Sequence, residues 1–153
     1  TRATPLRGSG DVAGGSAPGQ VRVVADHLNV SGGSLFPAPG MVSAGWDATL
    51  TERLGSLRGV SGSSVVALVP GPLRPSPAES RALVSLGADA AVTDSVAEAM
   101  VLASRGVAVS ALTYLDAPAA GGNLGRAQLS LRQASGVTLA AVEEILRSLR
   151  AGS

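Results

Sequence analysis

The sequence contains no cysteine and no lysine, and among its 153 residues it has one histidine, one tryptophan, one tyrosine and one phenylalanine. The absence of cysteine excludes disulfides, thiolate zinc sites and a cysteine nucleophile, and His27 alone cannot form a histidine-based metal cluster. Few aromatic rings are present on which nucleic-acid bases could stack, and the twelve arginines are scattered along a chain of net charge +1. We therefore expect no metal, no cofactor and no nucleic-acid partner.

Long apolar runs are also absent, since none approaches the roughly 20 residues that a membrane-spanning helix needs. The first 20 residues are polar and rich in glycine, and they do not resemble a signal peptide. These features predict a cytoplasmic protein with no membrane partner. Because the sequence starts with Thr1 and not with methionine, we expect it to be processed, trimmed or a piece of a longer protein.

Valine, leucine and alanine dominate the 45% of residues that are hydrophobic. This composition suits the core of a parallel sheet covered by helices, and 153 residues fit a single domain. Residues 1–20 show no apolar period and predict a flexible N-terminal segment. We expect one α/β domain over residues 21–153, with a mixed or mostly parallel sheet flanked by helices.

Apolar periodicity predicts four strands and four helices. The strands are expected at residues 21–25, 64–69, 89–92 and 107–115, and the helices at residues 47–57, 77–86, 95–104 and 138–150. A capping box of Ser76 with Glu79 opens the second helix. A second box of Ser95 with Glu98 opens the third helix, and Thr138 is expected to cap the fourth. The face of the fourth helix that is expected to pack on the sheet carries Leu139, Val142, Ile145, Leu146 and Leu149.

Three of the connecting loops indicate where a site would lie. The last three strands are predicted to be parallel because right-handed crossovers join them, and ligands of open α/β sheets bind beyond the carboxyl ends of such strands. Those strands run into loops at residues 71–76, 93–95 and 116–126, so we expect the site where these loops meet. His27 and Asn29 follow the first predicted strand and could reach a ligand, but we favour a structural role for this single histidine.

Three segments carry a further pattern. They are AGG at residues 13–15, VRVVADHLNVSGGSLF at residues 21–36 and GPLRPSPAESRALVSLGADAAVTDSVAEAMVLASRGV at residues 71–107. In this order they resemble motifs of the trimeric purine nucleoside phosphorylase family: A-G-G, then D-H-x-N-[LV]-x-G, then G-P-x-[YF]-E-T-x-A-E followed by a helix and G-A-D-x-V-G-M-S-T-x-x-E. The resemblance spans most of residues 11–150.

The resemblance implies a nucleoside phosphorylase-like fold that lacks the family's N-terminal segment, and a trimer. It also implies phosphate-dependent cleavage of a nucleoside to a base and ribose 1-phosphate, which needs a proton-sharing group at the base and a cradle for phosphate. The family's base and ribose contacts correspond to Arg74, Pro75, Thr93, Asp116, Ala117 and Arg126. Its phosphate contacts correspond to Ala13 and Asp94, and Phe36 corresponds to an aromatic residue that reaches a neighbouring subunit.

Most of these positions depart from the family's chemistry. Pro75 replaces a purine-contacting glutamate, Arg74 replaces its aromatic neighbour, and Thr93 replaces a methionine that packs on the ribose. Asp94 replaces a phosphate-binding serine, and a carboxylate about 4 Å from a phosphate charge costs about 1 kcal/mol in water and about 4 kcal/mol at an effective dielectric near 20. We interpret Asp94 instead as a cap for the helix that begins at Ser95.

The remaining positions depart as well. Ala117 stands where the family has a purine-binding asparagine, although a one-residue shift would put Asp116 there, and Arg126 lies near the position of a ribose-contacting histidine. Nothing before Asp11 is expected to supply the serine loop, arginine and histidine of the family's N-terminal segment. The sequence therefore predicts that the phosphate site is missing from this chain.

Two functions follow from the resemblance. In the first, the chain has lost catalysis and is a ligand-binding or assembly module, either as a homo-oligomer, a trimer by resemblance, or paired with an intact relative. In the second, it is an active pentosyltransferase of the nucleoside phosphorylase type whose missing site parts come from another chain or segment. A ligand with a positive charge would then suit Asp94 and Asp116, and an anionic group would suit Arg74. A third reading is a domain that resembles the family by fold alone.

Overall fold

A computed structural model describes residues 1–6, 18–32, 45–71, 74–116 and 124–151. Its five strands and four helices occur in the order β1 (Arg2–Pro5), β2 (Val21–Asn29), α1 (Ala48–Gly55), β3 (Val60–Leu68), α2 (Pro77–Ser85), β4 (Ala90–Val92), α3 (Val96–Ser104), β5 (Leu112–Leu115) and α4 (Leu124–Ala151). The predicted mixed sheet flanked by helices is confirmed. None of the described helices combines the length with the apolar character that a membrane span requires.

The strands close into a barrel in the order β1-β4-β3-β2-β5, because β1 also pairs with β5. β2, β3 and β4 are parallel to one another. β1 is antiparallel to β4, and β5 is antiparallel to β2. The carboxyl ends of β3 and β4 therefore lie side by side, and β1 flanks β4 at the same place.

The direction of β5 differs from the sequence prediction, which was wrong on this point. β5 covers only the end of the predicted strand at residues 107–115, and it pairs with β2 and β1 and not with β4. The crossover rule assumes that consecutive strands become parallel neighbours. Here β1 occupies the place beside β4, so α3 leads the chain to the other side of the barrel, where β5 runs antiparallel to β2.

Side chains from all five strands meet in one buried cluster, which identifies the interior of the barrel. The cluster contains Ala3, Val24, Val66, Leu68, Ala90, Val92 and Leu115, together with Val96, Ala99 and Met100 of α3. Met100 is fully buried, and removing such a side chain from water contributes about 1.5–3 kcal/mol. α3 is therefore held to the barrel by its first two turns.

The outer faces of the strands are covered by the other three helices. Leu83 of α2 packs on one part of the sheet, and Leu54 of α1 packs on another with Ala141 of α4. Ala134 and Val137 of α4 contact a third part. Alternate residues along each strand thus face the barrel interior and the helices, as the two-residue period of a strand requires.

The predicted loop over residues 1–20 is wrong for Arg2–Pro5, which form β1. Thr4 lies opposite Ala91 of β4, and Arg2 lies opposite Tyr114 of β5. A strand of four residues with one buried alanine has no apolar pattern of its own, so only its partners, far away in the sequence, make it a strand. The division into a segment of 20 residues and a domain over residues 21–153 stays a prediction.

The helix starts agree with the predictions in part. Ser76 and Glu79 form the predicted capping box: the Glu79 amide donates to Ser76 Oγ at 3.3 Å, and the Ser76 amide donates to Glu79 Oε2 at 2.7 Å. The predicted box at Ser95 and Glu98 is wrong, because Ser95 has a left-handed backbone with φ of 68° and its side chain makes no capping bond.

The longest helix also differs from the prediction. α4 begins at Leu124, and Thr138 lies inside it, with its hydroxyl donating to the Ala134 carbonyl at 2.9 Å. Among the described side chains of α4, those of Ala134, Val137 and Ala141 are buried, whereas four of the five residues expected to be buried are exposed: Leu139, Val142, Ile145 and Leu146. The side chain of the fifth, Leu149, lies outside the described part. Small side chains let α4 approach the strands closely, so the larger apolar residues face outward.

Candidate functional site

A cavity of about 350 Å³ lies beyond the carboxyl ends of β3 and β4. Its wall contains all five of the predicted site residues whose side chains the structure describes: Arg74, Pro75, Thr93, Asp94 and Asp116. Five further residues complete the wall: Arg2, Ala3, Thr4, Val69 and Ala91. The structure therefore brings the loops after β3, β4 and β5 together. The parallel strands β3 and β4 place their loops as expected for ligand sites in α/β sheets, whereas Asp116 reaches the cavity through the pairing of β5 with β1.

Backbone contacts hold these loops in place. The Val69 amide donates to the Val92 carbonyl at 2.9 Å, which keeps the chain after β3 beside β4. Gly71 then passes so close to Thr93 that a Cβ at Gly71 would lie 3.3 Å from Thr93 Cβ. The Asp116 amide donates to the Ala3 carbonyl at 2.8 Å, so the end of β5 reaches the same cavity. Each side chain in the cavity thus begins from a fixed backbone.

Two arginines converge on one carboxylate in this cavity. Arg2 Nη2 donates to Asp116 Oδ2 at 2.7 Å, whereas Arg74 Nη2 lies 3.9 Å from the same oxygen, beyond hydrogen-bond distance. Asp116 is thus engaged by Arg2, and no described group accepts a hydrogen bond from Arg74. The Arg74 side chain is 48% exposed, so its guanidinium is accessible to a ligand anion.

Asp94 is the second carboxylate of the cavity. Its Oδ1 accepts hydrogen bonds from Thr1 Oγ1 at 2.6 Å and from Ser95 Oγ at 2.9 Å. The hydrogen bond from Thr1 is the main cause that lowers the pKa of Asp94, burial opposes it, and the bond from Ser95 adds to it. Asp94 is therefore ionised at neutral pH.

The interpretation of Asp94 as a helix cap is wrong. The two bonds to its carboxylate come from hydroxyl groups, and within the described residues no backbone amide of α3 donates to it. The backbone carbonyl of Asp94 instead accepts from the Val96 amide at 2.8 Å. The left-handed turn at Ser95 aims its hydroxyl back at Asp94 and prevents the capping geometry.

A second cavity of about 300 Å³ adjoins the first. The two share Val69 and Pro75. The rest of the second cavity is lined by Val30, Pro70, Glu79, Ala82 and Leu83 and is mostly apolar. The carboxylate of Glu79 is already occupied by the Ser76 amide, and this bond lowers the pKa of Glu79. The site region therefore combines a charged cavity with an apolar one.

His27 and Asn29 lie in β2 and not after it, and neither lines either cavity. The His27 ring meets Trp46 edge-on, with ring centroids 6.0 Å apart, and burial lowers the pKa of His27. Asn29 Oδ1 accepts from the Ser31 amide and hydroxyl, at 3.2 and 2.7 Å, and so forms the turn that ends the strand. A structural role for His27 stays a prediction.

Four predicted positions lie outside what the structure describes. Ala13, Phe36 and Ala117 fall outside the described residues. Arg126 lies within α4, but its side chain is outside the described part. The assignments to these four positions stay predictions. In the ranges that the structure does describe, no three acidic or histidine side chains gather where they could hold a metal ion.

Sequence reasoning missed the contribution of β1. The sequence assigned no site residue to the first ten positions, yet Arg2, Ala3 and Thr4 line the charged cavity, and Arg2 binds Asp116 there. These residues were missed because β1 was predicted as part of a loop. No local signal identifies this strand, since its position depends on pairing with β4 and β5.

Comparisons with known proteins support the fold. No protein-family model matches the sequence, and a search of curated proteins finds no significant sequence relative.

Among solved structures, this chain is similar to the purine nucleoside phosphorylase from Schistosoma mansoni in complex with inosine. The two structures match with a TM-score of 0.67 and 18% sequence identity, over 95% of this chain and 58% of that one. The Schistosoma enzyme with hypoxanthine matches with a TM-score of 0.66 and 18% identity, over 95% of this chain and 59% of that one. A purine nucleoside phosphorylase with ribose-1-phosphate gives a TM-score of 0.59 and 19% identity, over 90% and 56%. This chain spans less than two thirds of each of these proteins, and it has a nucleoside phosphorylase-like fold.

Proposed function

We propose that the chain is a nucleoside phosphorylase-fold domain that binds a nucleoside-like small molecule but does not cleave it. The similar solved structures contain inosine, guanosine and hypoxanthine. In this chain, five residues that the sequence resemblance assigns to the family's base, ribose and phosphate contacts line one cavity. That juxtaposition supports a small-molecule site in the same part of the fold.

The observation that carries the loss of catalysis is the ionised carboxylate of Asp94 in this cavity. Phosphorolysis requires a phosphate anion at the ribose, and a fixed carboxylate there disfavours it by Coulomb repulsion. Departure of the base also requires a proton-sharing group. Pro75 has no proton to share, and Asp116 is bound to Arg2. Within the described residues of the cavity, the departing base thus finds no proton-sharing group, and Asp94 opposes the attacking phosphate.

The second candidate is an active phosphorylase whose missing parts come from another chain or segment. One observation favours it: Arg2 and Arg74 place two guanidinium groups in the cavity, and such groups can bind phosphate. Arg2 is already paired with Asp116, however, and the two carboxylates of the cavity balance the two arginines. We therefore prefer binding without turnover.

An assembly role accompanies ligand binding in our proposal, as a homo-oligomer or with an intact relative. Its support is the outward face of α4, where Leu139, Val142 and Leu146 are 61%, 48% and 50% exposed. These residues recur at helical spacing and form one apolar stripe, a feature typical of protein interfaces. A trimer and a cytoplasmic location rest on the sequence alone.

One assay separates the two candidate functions. The protein is incubated with inosine, guanosine or adenosine and inorganic phosphate, and free base is measured by chromatography. We expect no base above the buffer blank, together with nucleoside binding that isothermal titration calorimetry detects. Phosphate-dependent release of base would refute the proposal in favour of the enzyme. Light scattering of the same sample gives the oligomeric state.

A further inference from the structure

We propose that the ligand of this site is a nucleoside monophosphate, a nucleoside that carries its own phosphate. The phosphate binds Arg74, the ribose hydroxyls bind Asp94, and the base lies in the adjoining apolar cavity. This inference rests on the proposed function, because it places a nucleoside-like ligand in the same site. It goes further by naming the charge of the ligand and the residue that selects it.

Arg74 is the anion-binding group. Its guanidinium lines the charged cavity, is 48% exposed on its side chain and lies 3.9 Å from Asp116, which Arg2 already holds at 2.7 Å. A guanidinium with open donors binds phosphate oxygens in pairs. Arg74 therefore has donors for a phosphate, whereas those of Arg2 are directed at a carboxylate of the protein.

Asp94 is the group for the ribose. Both of its hydrogen bonds from the protein go to Oδ1, and among the described residues nothing donates to Oδ2. A carboxylate oxygen of this kind accepts hydrogen bonds from ribose hydroxyls, as acidic residues do in dinucleotide sites. The same charge repels free phosphate, so a phosphate is tolerated when the ligand holds it away from Asp94 and close to Arg74.

The apolar cavity supplies the place for the base. It shares Val69 and Pro75 with the charged cavity, and its volume of about 300 Å³ lies in the range of small-molecule sites. Ala82 and Leu83 of α2 also line it. A base that packs between Pro75 and these two residues would place its attached sugar in the charged cavity, at Asp94.

Calorimetry with the whole chain tests this assignment. The probes are adenosine and guanosine 5′-monophosphates, the parent nucleosides, ribose 5-phosphate and inorganic phosphate. We expect each monophosphate to bind at least tenfold more tightly than its nucleoside, because a charge-assisted hydrogen bond has about that effect. Ribose 5-phosphate and inorganic phosphate should bind at least tenfold more weakly than the monophosphates, since they lack the base.

Two pairs of matched variants locate the groups. Arg74→Gln should abolish the advantage of the monophosphate over its nucleoside, whereas Arg81→Gln, on α2 and outside both cavities, should leave that advantage at its wild-type value. Ala82→Gln should fill the apolar cavity and weaken both ligands about tenfold. The control Ala78→Gln alters an exposed alanine of the same helix that does not line the cavity. Arg74→Lys should retain part of the advantage, which keeps the test valid if the glutamine variant unfolds.

The outcomes separate this inference from the proposed function. Equal affinity for nucleoside and monophosphate would overturn the inference and leave nucleoside binding without turnover intact. Equal affinity for inorganic phosphate and the monophosphate would overturn it as well, because the nucleoside would then contribute nothing. Release of free base would refute the proposed function, while a monophosphate advantage lost in Arg74→Gln would still support the ligand assignment. If neither nucleoside nor monophosphate binds, both proposals fail.

Discussion

Asp94→Ser should strengthen the binding of free inorganic phosphate, because it removes an ionised carboxylate from the charged cavity and introduces a hydroxyl donor. Asp94 lines that cavity, and its pKa is lowered by the hydrogen bond from Thr1, so the wild-type charge is present throughout the neutral pH range. The change restores the residue type that the resemblance implies at this position. It therefore tests both the electrostatics and the correspondence of positions.

The expected magnitude follows from the exposure of Asp94. At about 4 Å, two unit charges repel by about 1 kcal/mol in water and about 4 kcal/mol at an effective dielectric near 20. Asp94 is an exposed residue, so the lower figure applies. The new hydroxyl adds about 1 kcal/mol for a neutral hydrogen bond. Together these effects correspond to roughly thirtyfold tighter phosphate binding.

Phosphorus NMR titration of inorganic phosphate measures this affinity directly. Glu98→Gln is the matched control, because Glu98 is an exposed acid on α3 that lines neither cavity, and its loss changes the net charge by the same amount. Asp94→Ser should also weaken nucleoside binding, because Asp94 is the proposed acceptor for the ribose hydroxyls. A phosphate affinity that stays at the wild-type value would refute the correspondence of Asp94 with the family's phosphate-binding serine.

Three further predictions concern stability, each measured by denaturant unfolding. The pKa of Asp94 is lower in the folded chain than the ordinary value of about 3.9, so its contribution to the free energy of unfolding is present above that pH and is lost as the pH falls through the lowered value. Asp94→Asn should therefore reduce the loss of stability at acidic pH, and an unchanged loss would contradict the assignment. Gly59→Ala should lower the free energy of unfolding by about 2–4 kcal/mol, because its Cβ would lie 2.6 Å from Val137 Cγ2 at a φ of +97°. Gly87→Ala, at a φ of +93° with nothing within 4 Å, should lower it by about 1 kcal/mol, and equal losses would count against the contact with Val137. Met100→Ala should lower the free energy of unfolding by about 2–5 kcal/mol, because Met100 is fully buried in the barrel interior. Leu102→Ala, at a site 46% exposed on the same helix, should lower it by less than about 1 kcal/mol, and a loss that small at Met100 would argue against a packed barrel interior.

The parts of the fold that the sequence predicts are those with local causes. The start of α2 follows from Ser76 and Glu79, whose side chains satisfy each other's backbone amides without help from the rest of the chain. The position of β4 follows from a short apolar run between two turns. The box predicted at Ser95 and Glu98 has the same residue types but does not form, because the turn after β4 adopts a left-handed backbone that sequence spacing does not reveal.

The location of the candidate site was predictable for a related reason. Loops that follow neighbouring parallel strands end at the same edge of a sheet, so Arg74, Pro75, Thr93 and Asp94 had to lie close together once β3 and β4 were parallel. The role of Arg2 was not predictable, since β1 becomes a strand only through partners on β4 and β5. Because strand pairings between distant parts of the chain bring Arg2 to the site, sequence patterns alone do not predict all of its residues.

The α4 face shows why burial cannot be taken from apolar periodicity alone. In the part of α4 whose side chains are described, the helix carries a narrow apolar face of Ala134, Val137 and Ala141 and a wider one that includes Leu139 and Leu146. Periodicity favours the wider face, because larger side chains bury more area. The structure places the narrow face on the strands, since alanine permits the closest approach of helix to sheet, and leaves the leucines outward. An exposed apolar face lowers the solubility of a protein unless another protein surface covers it. For this reason our proposal joins assembly with ligand binding.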